Sequence, residues 1–103
     1  MNKQIANLLG LCQRAGKLLT GDALVKNTIK KDKALLVLLA TDASERTKKE
    51  FYRMAQVNEI TVYEIGTKVD FGWAVGKSQR AAVVVTDENF SRGIIELIER
   101  GEA

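Results

Sequence analysis

The chain has 103 residues, of which 46% are hydrophobic and 28% are charged, and its formal net charge is +3. This size and apolar content suffice for a single domain over 1–103 with its own core. There is no histidine, and Cys12 is the only cysteine. These absences exclude Ser-His and Cys-His catalytic pairs, histidine-ligated zinc, cysteine-cluster metal sites and an internal disulfide.

Two features of the sequence predict a cytoplasmic protein. The longest uninterrupted apolar run, at 34–40, is far too short to cross a bilayer. The first ten residues also lack the apolar core and small-residue cleavage site of a secretory signal.

Two amphipathic helices are predicted in the first third of the chain. Asn2 is a good N-cap, and the apolar stripe after it predicts a helix to Ala15. Residues 17–20 form a short link or an edge strand. A second helix begins at Gly21 and ends near Asp32. The positions predicted to face inward on it are Leu24, Val25, Thr28 and Ile29.

The middle of the chain predicts two strands around a third helix. The segment 34–40 is apolar at every position, which is typical of a strand covered on both faces in a parallel or mixed sheet. The turn at 41–44 supplies capping residues for a helix that reaches about Gln56, with Phe51 inward. The β-branched and aromatic run 60–65 predicts the second of these strands.

The last third of the chain predicts two more helices and a buried strand. Thr67 caps a short helix that ends near Gly76, the run 81–85 is a buried strand, and a final helix begins at Thr86 and ends at Gly101. Helices that alternate with buried strands predict a three-layer α/β/α sandwich around a mixed, roughly four-stranded sheet.

The charges of the chain are unevenly distributed. Residues 1–33 carry seven Lys and Arg against two Asp, a net charge of +5, and residues 66–80 carry +2. The segments 34–65 and 81–103 have net charges of −1 and −3. The small net charge therefore results from basic and acidic segments that partly cancel. The basic segments favour an anionic partner.

A candidate phosphate-binding patch follows from this distribution. The polar, basic loop 77–80 lies between a predicted helix and a buried strand, and loops held in this way often carry function. If this loop lies beside the second helix, cations and a helix N-terminus converge on one patch. The residues predicted to form it are Lys17, Gly21, Lys26, Lys30, Lys68, Lys77, Ser78, Gln79 and Arg80.

Trp73 and two aspartates have alternative interpretations. The helical spacing around Trp73 favours packing against the sheet over stacking on a nucleic-acid base. Asp42 and Asp87 each follow a buried strand, where carboxylates could hold magnesium, but helix capping is the commoner role of Asp at such places.

Several motifs together resemble a known family. They are Gly21 at the start of a basic helix, the strand 35–39 that leads into Ala40-Thr41-Asp42, and the pattern Lys68-x-x-Phe71-Gly72-x-Ala74-x-Gly76 before a buried strand. This combination, over roughly residues 5–98, resembles the kink-turn RNA-binding ribosomal-protein family of the L7Ae/L30e type. The segment 7–21 is similar to its small bacterial YlxQ-like branch.

The resemblance implies an α/β/α sandwich that binds a sharply bent RNA internal loop, with the sheared G·A pairs against the start of the second helix. Gly21 matches the family there. Ala23 and Leu24 stand at two polar positions of the family pattern, and Asn27 stands at its final lysine. Asp22 and Asn27 are expected to substitute in part.

The resemblance extends to the other side of the patch. Lys68 matches the family lysine before the fourth helix, and 77–80 corresponds to the loop that touches looped-out nucleotides. We therefore predict a non-enzymatic, ribosomal-protein-like binder of structured RNA, either rRNA or another kink-turn-like RNA. We expect a monomer without cofactor or metal, and neither DNA nor a membrane as partner.

Two other functions are open from the sequence alone. One is a protein-interaction module whose basic face meets an acidic partner. The other is a small magnesium-dependent regulatory or phosphotransfer domain that uses Asp42 and Asp87.

Overall fold

The computed structural model describes residues 1–101. Five α-helices and four β-strands alternate along this part of the chain. The helices are α1 (Lys3–Arg14), α2 (Asp22–Lys30), α3 (Glu45–Val57), α4 (Lys68–Val75) and α5 (Glu88–Glu99). The strands are β1 (Leu18–Thr20), β2 (Leu36–Leu39), β3 (Thr61–Glu64) and β4 (Ala82–Val85).

The four strands form one mixed sheet in the order β1-β4-β2-β3. β4 runs antiparallel to both of its neighbours, with Val83 opposite Thr20 on one side and opposite Leu38 on the other. β2 and β3 are parallel. The strands β1, β2 and β3 therefore all end at the same end of the sheet, where β4 begins.

Helices cover both faces of the sheet. The helices α1, α4 and α5 pack on the face that carries Leu36, Leu38 and Val83. The helices α2 and α3 pack on the opposite face, against Val37 and Leu39. β2 and β4 are buried at every position because they lie in the middle of the sheet with helices on both sides. The predicted three-layer α/β/α sandwich with a mixed four-stranded sheet is confirmed.

The predicted helix starts also agree with the structure in most cases. The side chains of Asn2, Thr67 and Asp87 accept hydrogen bonds from the first turns of α1, α4 and α5. The cap of α3 is Ser44, the last residue of the predicted turn. Local capping chemistry therefore identifies where these four helices begin.

Two apolar residues that were predicted to be buried lie outside the observed core. Leu35, predicted to belong to a strand buried on both faces, precedes β2 and is 43% exposed. Leu24, predicted to face inward, is 47% exposed because it lies in the first turn of α2, beyond the end of β1.

None of the helices within residues 1–101 is long and apolar enough to span a membrane.

Candidate nucleic-acid interface

The sheet topology places the starts of two helices at the same end of the sheet, after its two edge strands. α2 follows β1 and α4 follows β3, and both strands end at the same end of the sheet. The loop before β4 returns to that end as well, since β4 starts there. We call this region the α2/α4 end and define it by Gly21, Asp42, Lys68 and Arg80.

The first turn of α2 is open. Gly21 occupies the N-cap position with φ of 101°, a conformation that favours glycine, and makes no side-chain hydrogen bond to the turn. Each of the four other helices in the described part of the chain has a side-chain cap. The first backbone N–H groups of α2 therefore lack a side-chain partner, which suits a bound anion.

Two hydrogen bonds hold the backbone of Lys68 at the start of α4. Its N–H donates to Asp42 Oδ1 at 2.9 Å, and its carbonyl accepts from the Arg80 N–H at 3.1 Å. The residues before it are fixed as well, because the Thr41 hydroxyl donates to the Gly66 carbonyl at 2.6 Å. Thr67 and Asp70 complete a reciprocal capping box. Two neighbouring loops thus fix the backbone of Lys68.

The loop 77–80 runs back along α4 and packs closely on it. The Lys77 N–H donates to the Gly72 carbonyl at 2.9 Å. A Cβ on Gly72 would lie 2.6 Å from the Ser78 carbonyl oxygen, so only glycine allows this approach. The loop therefore has a defined position relative to Lys68.

Arg80 connects the loop to the α2/α4 end. Its Nη1 donates to the Ser78 hydroxyl at 2.8 Å and to the Gln79 carbonyl at 3.0 Å. Its Nε is buried without a hydrogen-bond partner within residues 1–101. The Nη1 bonds hold the guanidinium against its own loop.

Two other charged groups near the site are already paired. Lys26 forms an ion pair with Glu50 of α3. The hydrogen bond that the Lys26 ammonium donates in this pair holds the pKa of the Glu50 carboxyl below its ordinary value. The backbone N–H of Thr67 lowers the pKa of Asp70 in the same way. The charge of Lys26 is thus partly compensated, while Asp70 is used in the cap of α4.

The prediction that the site residues converge is wrong for two lysines and one asparagine. Lys17 precedes β1, and its carbonyl accepts from Thr86 at the opposite end of the sheet. Lys30 is the last residue of α2, about 13 Å along the helix from Gly21. Asn27 lies with Lys31 beside β1, on a different side of α2 from Lys26. Antiparallel pairing of β1 and the direction of α2 cause these separations.

The remaining predicted residues lie at or near one end of the sheet. They are Gly21 and Asp22 at the start of α2, Lys68 at the start of α4, and Lys77, Ser78, Gln79 and Arg80 in the adjoining loop, with Lys26 further along α2. Asp42 was not predicted to belong to the site. Its position directly after a central strand is the sequence feature that could have indicated this.

The magnesium hypothesis does not agree with the geometry. Asp42 lies at the α2/α4 end, whereas Asp87 follows β4 and lies at the opposite end. Asp87 Oδ2 accepts from the Phe90 N–H at 2.9 Å as the cap of α5. No group of three or more potential metal ligands occurs among the residues that the structure describes.

The prediction that Trp73 packs against the sheet is also wrong. Its side chain is 84% exposed, whereas Phe71 and Val75 on the same helix are buried. A residue two positions from Phe71 lies about 200° around the helix from it, on the opposite side. The indole therefore faces outward.

Comparison with known proteins agrees with this fold. The model of the ribosomal protein L7Ae/L30e/S12e/Gadd45 family matches residues 3–95. The chain is 38% identical over 99 residues to RNA-binding protein YlxQ of Enterococcus faecium, covering 95% of each chain. It is 35% identical over 92 residues to RNA-binding protein YlxQ of Bacillus subtilis, covering 89% of this chain and 92% of the other.

Two solved structures show the same architecture. A protein of unknown function from Bacillus halodurans superposes with a TM-score of 0.88 at 35% identity, covering 96% of this chain and 99% of that one. A 15.5 kD RNA-binding protein of Giardia lamblia has a TM-score of 0.77 at 17% identity, covering 97% and 89%. The second likeness concerns the fold alone. The chain belongs to the ribosomal protein L7Ae/L30e/S12e/Gadd45 family.

Proposed function

We propose that this protein is a non-enzymatic RNA-binding protein that holds structured RNA at the α2/α4 end. One observation carries the proposal: the open start of α2 and the fixed backbone of Lys68 lie at the same end of the sheet as Arg80. Backbone N–H groups at a helix start and nearby cations bind phosphates without reading sequence. The names of the two bacterial relatives support RNA as the ligand.

The RNA class that we propose is a kink-turn-like structure, such as an element of rRNA. Ala23 and Leu24 are exposed in the first turn of α2 and offer no side-chain hydrogen bond to the edges of G·A pairs. Asp22 is the exposed polar side chain in that turn. We therefore propose that phosphate contacts supply most of the affinity and that selectivity for the bent loop is reduced.

The test compares a kink-turn RNA with the same RNA whose G·A pairs are replaced by Watson–Crick pairs, across a salt series. Loss of binding on replacement would support recognition of the bent loop by the start of α2. Equal binding of both RNAs, with a steep fall of affinity as salt rises, would support phosphate binding alone. Absence of binding to either RNA at low salt would overturn RNA binding and favour an acidic protein partner.

The remaining parts of the proposal concern the setting in which the protein acts. We propose a role at or near the ribosome, in the cytoplasm, as a monomer, with RNA and neither DNA nor a membrane as its partner. A-form RNA presents a wide minor groove with 2′-hydroxyls, and proteins distinguish RNA from DNA there. Competition by DNA of the same sequence in the binding assay tests the preference for RNA, and sedimentation of the free protein tests the monomeric state.

A further inference from the structure

The function proposed above leaves the exposure of Trp73 unexplained. Trp73 is 84% exposed, the largest exposed fraction of any large apolar side chain among the described residues. It lies on the outward side of α4, five residues beyond Lys68. Exposed single apolar residues are common on protein surfaces, but an indole is the largest of them and has the most to gain from a partner.

Two grooves border this indole. One, of about 400 Å³, lies between α4 and the loop 77–80 and includes Val69 and Lys77. The other, of about 510 Å³, lies between α1 and α4 and includes Leu11 and Arg14. Each volume lies in the range of small-ligand sites, so a flat ligand has space in either groove.

The backbone of α4 that carries the indole is closely packed on two sides. On one side, the loop approaches α4 so closely that a Cβ on Gly72 would meet the Ser78 carbonyl at 2.6 Å. On the other side, α1 approaches α4 through Gly10, whose added Cβ would lie 3.1 Å from the Ala74 carbonyl oxygen. The backbone that carries the ring is therefore in place before a ligand binds, so that only the two side-chain torsions of the indole remain to be fixed.

The charges around the grooves favour an anionic ligand. Lys77 and Arg14 are exposed cations. Asp70 is the carboxylate in the groove beside α1, and it accepts from the Thr67 N–H at 2.9 Å and from the Met1 amino group at 3.3 Å. An exposed aromatic face with cations on both sides is the arrangement that binds single-stranded nucleic acid.

We propose that Trp73 is a stacking platform for an unpaired nucleotide of the bound RNA, with Lys77 and Arg14 contacting the flanking phosphates. This inference rests on the proposed function, since the RNA is held at the α2/α4 end. Trp73 lies about 7.5 Å along α4 from Lys68, roughly twice the axial rise of about 3.4 Å per nucleotide in a stacked strand. A strand that leaves the α2/α4 end along α4 therefore reaches the indole within a few nucleotides.

The experiment uses the fluorescence of Trp73, which is the only tryptophan in the chain. The probe is a kink-turn RNA with a four-nucleotide uridine extension, and the same RNA without the extension is the reference. We expect the extended RNA to quench the indole emission. Trp73→Ala should bind the extended RNA about 5- to 150-fold more weakly, and Trp73→Phe should retain part of the affinity.

Salt dependence separates stacking from phosphate contacts. Trp73→Ala should leave the slope of log affinity against log salt unchanged, whereas Lys77→Ala should reduce it by about one. Two control variants on α3, on the other face of the sheet, should behave like the wild type: Val57→Ala removes an exposed apolar group, and Lys49→Ala removes an exposed charge.

The inference and the proposed function fail in different ways. Affinity of Trp73→Ala within twofold of the wild type, in a protein whose binding still depends on Lys68 and Arg80, overturns the platform alone. Loss of a dimer in Trp73→Ala with unchanged RNA affinity also overturns it, because the indole would then serve self-association. Absence of RNA binding by the wild type at low salt overturns both.

Discussion

Asp42 Oδ1 accepts a hydrogen bond from the backbone N–H of Lys68 at 2.9 Å, across 26 residues of sequence. This bond joins the loop after β2 to the first turn of α4 and places a carboxylate at a helix N-terminus, where it is favourable. The position of the Lys68 backbone therefore depends on a carboxylate in the neighbouring loop.

Removal of this carboxylate should destabilise the protein. We expect Asp42→Ala to lower the free energy of unfolding by about 1 kcal/mol, as for loss of a helix-capping side chain. Asp42→Asn keeps an acceptor oxygen and should lose less. Urea denaturation monitored by circular dichroism measures the difference, and equal stability of Asp42→Ala and the wild type would contradict the role of this bond.

Glycine is required where the loop 77–80 packs on α4. A methyl group on Gly72 meets the Ser78 carbonyl at 2.6 Å, so we expect Gly72→Ala to cost about 1–3 kcal/mol and to weaken RNA binding by displacing the loop.

The matched control for this prediction is Gly93→Ala in α5. Its Cβ would make an ordinary contact with Leu8 at 3.4 Å, and the better helix propensity of alanine should stabilise the protein by about 0.5–1 kcal/mol. Opposite signs of the two effects in thermal and urea unfolding are expected. A neutral Gly72→Ala would show that the loop does not pack as described.

Stability should fall in acid partly through Asp70. Its pKa is lowered in the folded protein, chiefly by the hydrogen bond from the Thr67 N–H, from an ordinary value of 3.8. Because the pKa of Asp70 is lower in the folded than in the unfolded protein, its ionised carboxylate stabilises the fold at pH values above the unfolded-state pKa. This stabilisation is lost as the pH falls through the folded-state pKa.

The measurement for this prediction is the free energy of unfolding between pH 6 and about pH 2. Asp70→Asn should show a shallower decline than the wild type. The control Asp22→Asn removes an exposed carboxylate from the first turn of α2. If the free energy of unfolding of Asp70→Asn fell with pH as steeply as that of the wild type, Asp70 would not contribute to the acid sensitivity.

Cys12 should be unreactive in the folded protein. Its side chain is fully buried, and burial, together with the charge of Asp87, raises the pKa of the thiol to about 11. Because the thiolate is the reactive form, labelling by a thiol reagent at pH 8 should be slow and should accelerate in urea. Fast labelling under native conditions would place Cys12 at an accessible surface.

Local signals in the sequence predicted much of the fold. Asn2, Thr67 and Asp87 are capping residues at the helix starts they predict, and the central strands are the most apolar runs. These features depend on neighbouring residues, so they can be read without knowledge of the tertiary structure.

The site was only partly predictable because it depends on strand direction. Lys17 was grouped with Gly21 on sequence proximity, but a three-residue strand between them places them at opposite ends of the sheet. In the sequence, Asp42 and Asp87 both follow a buried strand. They lie at opposite ends of the sheet because β4 runs antiparallel to β2. Strand direction is set by long-range pairing, which periodicity does not reveal.

The location of RNA binding at the α2/α4 end is tested most directly by a comparison of four lysine and arginine variants. Affinity for the kink-turn RNA is measured across a salt series for Lys68→Ala and Arg80→Ala, with Lys17→Ala and Lys30→Ala as controls of equal charge. We predict weaker binding and a salt slope reduced by about one for the first two, and near wild-type values for the controls. Equal losses in all four, or none in Lys68→Ala and Arg80→Ala, would contradict binding at this end of the sheet.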